Sequence, residues 1–340
     1  MKRMHFKGIL GLTLVAAVAL ICSPQSGWAE ENVTVTLLTA PFGSGSYVFG
    51  SALEEIVREA GGRVKISHSE TPGVAYNIMK LDRNEGEREN TVIVSSPTLV
   101  ERAQQGLSPF REKMGEDIVS LASVFAAGRW MVSRDKSIKS YQDLKGKTVG
   151  LGNKQQTNFG LTPFLEITIG AGLDPKELDL KWLGTDSSAA AFKDRQLDVC
   201  VVGGYFNPVT RKFFPAPFFQ EMMAVEKGLN NFGPTKEDLS RVAAKFGSKA
   251  RPYEVVPGEL SGVDSPVTVS MALGTLSVYK VFPDEVAYEL TTLLIANAEK
   301  FARYHSLGKI LTKEMLCWGL EPAELHPGAY RAYREAGLMN

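Results

Sequence analysis

The feature that most limits the fold of this chain is the alternation of short apolar strands with amphipathic helices. Residues 91–95 and 148–151 have the composition of buried strands, and after residue 45 apolar side chains recur at three- and four-residue steps, as in a helix with one buried face. Strands that alternate with helices form a parallel sheet covered by helices, and ligands gather at the carboxyl ends of such strands. We therefore expect an α/β fold whose polar loops share one rim.

The first of these loops is the glycine-serine segment TAPFGSGSYVFG, which follows a strand and opens a helix. Gly43 and Gly45 would let a ligand approach the backbone, and Ser44, Ser46 and Tyr47 offer hydroxyl groups. The first N–H groups of a helix lack intrahelical partners and carry partial positive charge, so the loop suits an anionic small molecule. An ordinary strand-to-helix turn capped by serine is the alternative.

Two further polar loops are expected on the same rim, at residues 71–77 and 95–98. Thr71 followed by Pro72 has the pattern of a helix N-cap with proline at the first helical position, and residues 96–97 repeat that pattern. The sequence therefore predicts three helix-opening loops around one cleft.

A second set of strand and helix units follows between residues 130 and 202. Its predicted rim loops are residues 152–158, GNKQQTN, and residues 203–208, GGYFNP. Polar and glycine-rich segments of this kind, placed after apolar strands, indicate a second lobe that faces the first.

The chain is predicted to leave the first lobe and to return to it. Lobe one comprises residues 30–125 and 266–340, and lobe two comprises residues 126–265. Residues 225–262 lack strong periodicity and are expected to be an irregular excursion. A long strand over residues 266–281 then re-enters lobe one, so two chain crossings would form the hinge.

Residues 1–29 have the pattern of a secretory signal peptide: a basic start, an apolar run and a small residue, Ala29, at the cleavage site. The mature protein would begin at Glu30 and be located in the periplasm. Cys200 and Cys317 could pair in that oxidising compartment, but Cys200 lies in an apolar strand where a buried free thiol is equally natural. The pairing stays open.

Charge and motifs argue against nucleic-acid binding, nucleotide binding and catalysis. Lys plus Arg and Asp plus Glu both number 38, so nucleic acid and anionic membranes are poor partners. A dinucleotide fingerprint would need glycine at Val48, and no P-loop, HExxH or nucleophile-elbow pattern occurs. His68, His305 and His326 are expected to be surface or capping residues. We predict a protein that is not an enzyme and has no catalytic residue, cofactor or metal.

Five segments of the chain together resemble one known family. They are GSGSYVFG at 43–50, TPGVAYN at 71–77, SIKSYQDLKGKTVGLG at 137–152, LDVCVVGGYFNP at 197–208 and LHPGAYRAYREAGL at 325–338. In this order they resemble the solute-binding subunits of TAXI-type tripartite ATP-independent periplasmic (TRAP) transporters. The resemblance implies a periplasmic binding protein with two lobes, type II topology and a ligand cleft between the lobes. It also implies delivery of a small organic anion to a membrane permease driven by an ion gradient.

The family's pocket loops, carried over position by position, supply most of the predicted ligand-binding residues. Val74 and residues 155–158 depart from the family pattern, so the resemblance implies a dicarboxylate or amino acid-like solute only weakly. The ligand-binding candidates carried over are Ser44, Gly45, Ser46, Tyr47, Gly73, Val74, Asn77, Ser96, Gln156, Thr157, Asn158, Gly204 and Tyr205.

Arg129 is added from the residues alone, because it lies beside the predicted hinge and a guanidinium pairs well with a carboxylate. A surface charge is the alternative reading of this arginine. Aromatic residues near the rim loops predict that the solute also has an apolar part; they are Phe42, Tyr47, Trp130, Phe159, Tyr205 and Phe206.

Two other functions stay open at this point. A periplasmic sensor could use the same fold to present its solute to a membrane histidine kinase, and a secreted α/β enzyme could also share the fold. The scarcity of histidine and the lack of a nucleophile motif weigh against the enzyme. Neighbouring genes would separate sensor from transporter. A monomer is expected.

Overall fold

The structure is a computed structural model in which part of the chain is described. The described residues are Met1 and 32–340, apart from Gly43, Gln155, Gln156, Ser261 and Gly262. The predicted signal peptide therefore lies outside them. Residues 32–340 form one compact unit by their internal contacts. Among the described residues no helix is both long and apolar enough to cross a membrane.

The first part of the fold is a set of parallel strands with helices between them, as the alternation predicts. The strand β1 pairs in parallel with both β2 and β3, and the three helices connect or follow these strands. The elements are β1 (Val33–Leu38), α1 (Gly45–Ala60), β2 (Val64–Ser69), α2 (Val74–Arg83), β3 (Thr91–Ser95) and α3 (Pro97–Gln105).

Two long strands cross the middle of the sheet. They are β4 (Ile118–Ser133) and β11 (Val267–Tyr279), which pair with each other in antiparallel register. One side of β11 pairs with β3, and the last part of β4 pairs with β7 (Val199–Asn207), so β4 and β11 join the two halves of the sheet. With β5 (Thr148–Leu151) and β6 (Asp179–Trp182), the strand order is β2-β1-β3-β11-β4-β7-β5-β6.

The second half of the sheet is parallel between β5 and its two neighbours, β6 and β7. An irregular helical run over residues 157–170 surrounds the short helix α4. The elements are β5 (Thr148–Leu151), α4 (Thr162–Leu165), β6 (Asp179–Trp182), α5 (Thr185–Lys193), β7 (Val199–Asn207), β8 (Lys212–Pro215) and α6 (Pro217–Val225).

Residues 225–262 contain regular elements, so the prediction of an irregular excursion is wrong. Thr235 accepts a hydrogen bond from the backbone N–H of Asp238, whose carboxylate accepts one from the N–H of Thr235 in return. This capping box starts a helix of 11 residues, which buries Leu239 and Val242 at a three-residue step. The two strands beside it have only three and five residues, too few to show a period. The three elements are β9 (Asn230–Phe232), α7 (Lys236–Phe246) and β10 (Arg251–Val255).

The predicted loop at residues 203–208 is also wrong, because β7 continues to Asn207. Gly204 pairs with Gly128 in β4, and Tyr205 pairs with the preceding residue of that strand, Ala127. A Cβ atom on Gly203 would lie 2.4 Å from the carbonyl oxygen of Gly128, and one on Gly204 would lie 2.3 Å from that of Phe214. The two glycines therefore serve close strand packing and not a turn.

Helix starts agree with the sequence patterns in one case and differ in another. The hydroxyl of Ser96 accepts from the N–H of Leu99, with proline at the first position of α3, as predicted. The second helix begins at Val74 and not at Pro72. Its N-cap is Gly73, whose φ of 141° is a conformation that favours glycine.

The C-terminal part packs two helices together, α8 (Asp284–Asn297) and α9 (Pro327–Glu335). Two of the predicted capping histidines are confirmed: His326 is the N-cap of α9, and His305 caps a short 3-10 turn. In the described part of the chain, Cys200 and Cys317 are both free thiols. Burial raises the pKa of the Cys200 thiol to about 12, which makes it unreactive.

Candidate ligand-binding site

A cavity of about 370 Å³ lies where the starts of α2 and α3 face residues of the second half of the sheet. Strand β11 and the segment before β10 complete its wall. The described lining is Pro72, Gly73, Val74, Ala75, Tyr76, Ser95, Ser96, Thr98, Leu99, Phe125, Arg129, Thr157, Asn158, Thr162, Ser248, Ala250, Ala272, Leu273 and Gly274.

The N-terminus of α2 is the uncapped helix end on this wall. Gly73 has no side chain, and no side-chain hydrogen bond caps the helix. By contrast, the first turns of α1 and α3 are capped by Ser44 and Ser96. The exposed N–H groups of α2 thus keep their partial positive charge for a group in the cavity.

Hydroxyl groups near the cavity hold the surrounding elements together. Ser95 is buried and bonds to the hydroxyls of Thr275 and Ser277 in β11, at 3.0 and 2.7 Å. Thr98 accepts a hydrogen bond from the N–H of Lys249 at 3.0 Å, which fixes the segment before β10 against α3. These bonds set the shape of the cavity wall.

Arg129 lies on the wall but is only 1% exposed, so the surface-charge reading is wrong. Its Nη2 donates to Glu166 Oε1 at 2.7 Å and to Ser270 Oγ at 2.6 Å, and its Nη1 donates to Asn158 Oδ1 at 2.9 Å. Ser270 also donates to the same carboxylate. The guanidinium is therefore paired inside the protein.

Two buried atoms of this cluster have no hydrogen-bond partner among the described residues: Arg129 Nε and Glu166 Oε2. Behind the arginine, burial and then the charge of Glu166 raise the pKa of the Tyr141 phenol well above its usual value, so Tyr141 stays neutral. The cluster of Arg129, Glu166 and Ser270 is thus a balanced ionic group that is buried next to the cavity wall.

Asn77 does not line the cavity but holds the start of α2 against the sheet. Its amide nitrogen donates to the carbonyl oxygens of Leu38, Thr39 and Val94 at the ends of β1 and β3. Its Oδ1 lies 2.7 Å from the hydroxyl of Thr71. Because all of these groups are buried, Asn77 fixes the position of α2 relative to the sheet.

A second, apolar cavity of about 40 Å³ is lined in part by two other predicted residues, Gly45 and Tyr205. The Tyr205 hydroxyl lies 3.4 Å from where a Cβ on Gly45 would be. Phe125 lines both cavities and packs edge-on to Tyr205, with ring centroids 6.1 Å apart. The phenyl ring of Phe125 therefore stands between the two cavities.

The structure brings part of the predicted site together and places the rest elsewhere. Gly73, Val74, Ser96, Arg129, Thr157 and Asn158 lie on the larger cavity. Ser44, Ser46 and Tyr47 lie at the start of α1, where Tyr47 packs on Phe42 and His68. Gly204 lies within β7, and Gln156 falls outside the described residues.

Several lining residues carried no signal in the sequence. Phe125, Ala272 and Leu273 belong to the two long strands and look like ordinary core residues. Ser248 lies in the segment that had been predicted to be irregular. Among the described residues, no three His, Cys, Asp or Glu side chains are placed to hold a metal ion.

The mixed sheet, the two crossing strands and the cavity at strand ends define the fold of two-lobed periplasmic binding proteins. A TctC solute-binding protein from Polaromonas shares this fold, with a TM-score of 0.54 and 14% identity over 91% of this chain and 99% of that one. The sulphonate-binding protein SsuA from Escherichia coli is 13% identical over 89% of this chain and 83% of that one, with a TM-score of 0.43.

The model of the NMT1-like family matches residues 37–337 of this chain. This protein belongs to the NMT1-like family.

Proposed function

We propose that this protein is a periplasmic solute-binding protein that captures a small organic anion in the larger cavity. The observation that carries the proposal is the uncapped start of α2, which lines the cavity at Gly73, Val74 and Ala75. The free N–H groups of this helix start favour a negatively charged group. The volume of about 370 Å³ lies in the usual range of small-molecule sites, roughly 300–1,000 Å³.

Binding without catalysis is supported by the lining residues. The described cavity wall contains serine and threonine hydroxyls but no His, Cys, Asp or Glu side chain that could act as a nucleophile or as its base. A solute held there would meet hydroxyl, amide, guanidinium and apolar groups. This composition favours the binding protein over the secreted enzyme.

We further propose that the partner is a TRAP permease and that the protein is a TAXI-type subunit. The support for this step is the order of the five motifs, from residues 43–50 to residues 325–338. A sensor that reports to a histidine kinase is the second candidate, and a permease gene beside the gene of this protein would favour transport.

A thermal-shift screen of organic acids on residues 30–340 tests the proposal. A ligand at about 100 times its dissociation constant adds roughly 2.7 kcal/mol of stability, which is a clear rise in melting temperature. The substitution Ala272→Phe should fill the cavity and abolish the rise. The matched control Ala336→Phe, at an exposed position outside the cavity, should keep it. An equal rise in both variants would place the ligand elsewhere.

A further inference from the structure

Phe125 is the one described residue that lines both the larger cavity and the apolar cavity beside it. We propose that its ring sets the size limit of the solute: the ring closes one end of the larger cavity and keeps the apolar part of the solute out of the apolar cavity. This inference rests on the proposed function and names a residue that determines its specificity. Without the ring, the two cavities would form one elongated site for an acid with a long apolar chain.

Phe125 is the residue of β4 that reaches open space. The other residues of this strand, from Ile118 to Ser133, are buried, and Phe125 is partly exposed. Since β4 lies between β11 and β7 in the sheet, the space that the ring meets is inside the molecule and not at a sheet edge. The ring is therefore placed where a solute can touch it.

A β-bulge next to Phe125 turns two successive side chains toward one cavity. Phe125 pairs with Gly274 in β11, whereas the next residue of β11, Thr275, pairs with Ser123, so Val124 is the extra residue. Successive side chains of a regular strand point to opposite faces, but Val124 and Phe125 both line the apolar cavity. The bulge thus aims the ring at the boundary between the two cavities.

The strands on both sides of β4 hold the ring in this position. A Cβ atom on Gly274 would lie 2.1 Å from Cζ and from Cε2 of Phe125, so the ring lies where a side chain from β11 would otherwise be. From β7, on the opposite flank, Tyr205 packs edge-on against the ring with the centroids 6.1 Å apart. A ring fixed in this way can act as a partition.

The apolar cavity suits the end of a hydrocarbon chain. Its described lining includes hydrocarbon side chains from α1 and from the segment after α8, among them Val48, Phe49, Leu307 and Leu311. Walls of this kind offer water few hydrogen-bond partners, so a hydrocarbon chain gains affinity by burial there. The cavity measures about 40 Å³ with the ring in place, and removal of the ring would open it to the larger cavity of about 370 Å³.

Calorimetry with a series of straight-chain acids tests the inference: butanoate, hexanoate, octanoate and decanoate. We expect Phe125→Ala to raise the ratio of decanoate to butanoate affinity at least about tenfold over the unmodified protein, since burial of roughly two further methylene groups is enough for that factor. The ratio cancels any general weakening of binding that the substitution causes. An unchanged ratio would overturn the inference and leave the proposed function intact.

The matched control is Phe49→Ala, because Phe49 lines the apolar cavity and not the larger one. This change removes the same atoms and enlarges the apolar cavity, but it leaves the ring of Phe125 in place. The affinity ratio should therefore stay that of the unmodified protein. An equal gain in Phe49→Ala would show that Phe125 is not the partition.

A second variant, Phe125→Val, keeps a residue that favours strands and gives the same test if the alanine variant does not fold. In a crystal structure of this variant with decanoate, the end of the chain should lie between Val48 and Leu311. A chain end elsewhere would overturn the inference, and so would the absence of binding of all four acids to every variant. The proposed function would fail only if the screen of organic acids gave no hit as well.

Discussion

At the scale of single residues, a buried ion pair joins Arg129, on the cavity wall, to Glu166 in the protein interior. Both side chains are almost completely buried, and their closest atoms are 2.7 Å apart. A buried charge that loses its partner is far more costly than a buried pair replaced by apolar groups. The pair therefore fixes the wall of the cavity and makes each member depend on the other.

We expect Arg129→Met to lower the free energy of unfolding by about 3–5 kcal/mol, because it leaves the carboxylate of Glu166 buried without its cation. The double variant Arg129→Met with Glu166→Leu should recover most of that loss. Urea denaturation measures both. As a control, Arg58→Met removes an exposed ion pair with Glu55 and should change little. A double variant as unstable as the sum of its single changes would refute the coupling.

At the scale of elements, helix starts decide where polar groups remain available. The helix α9 begins at His326, which is fully buried. The N–H of Gly328 donates to its Nδ1, so its Nε2 carries the hydrogen and donates to the carbonyl oxygen of Phe282 at 2.9 Å. The neutral ring is required for this double role, and burial lowers the pKa of His326.

This cap makes stability depend on pH. Since the pKa of His326 is lower in the folded than in the unfolded state, unfolding takes up a proton once the pH falls below about 6.5. The stabilisation is thus present above that pH and is lost as the pH falls toward the folded pKa. Asp284, whose carboxylate is 3.8 Å from Nε2, opposes but does not reverse the shift.

We expect His326→Asn to keep a capping acceptor but to lose the Nε2–H donor to the carbonyl oxygen of Phe282, which lowers the free energy of unfolding by about 1 kcal/mol at pH 7.5. The loss of stability between pH 7.5 and 5.5 should be smaller in the variant than in the unmodified protein. Urea titrations at several pH values measure this slope. A slope remains because burial also lowers the pKa of His68. An unchanged slope in the variant would show that His326 does not titrate in this range.

At the scale of the whole molecule, the two long strands β4 and β11 connect the halves that contribute to the cavity wall. Gly73 and Ser96 come from the first half, and Thr157 and Asn158 come from the second. A solute that touches both halves best in a closed form would shift the population toward closure. The lobe limits at residues 125 and 265 stay predictions, and β4 runs unbroken through the first of them.

We expect the radius of gyration, measured by small-angle X-ray scattering, to fall when the acid that gives the largest thermal shift is added at saturation. The variant Ala272→Phe, with its cavity filled, should show no ligand-dependent change. Identical curves for the unmodified protein with and without ligand would favour a rigid cavity over closure.

Local patterns were enough to predict the elements with strong signals of their own. The amphipathic face of α1, the Ser96 cap with its following proline, and the capping role of His326 all depend on residues close in sequence. The α/β class follows from the order of such elements. The signal peptide and the periplasmic location rest on the sequence as well and stay predictions.

The tertiary structure decided what depends on distant partners. The strand β7 extends through Gly203 and Gly204 because it pairs there with β4 and β8. Both positions are glycine because the neighbouring backbone is too close for a side chain, and no local sequence pattern indicates that contact. Arg129 is an internal ion-pair partner because Glu166, 37 residues away, folds against it. The sequence by itself determined the helices and strands that have strong local patterns, such as α1 and α3. Which of the polar loops meet around one cavity depended on packing between segments far apart in the chain.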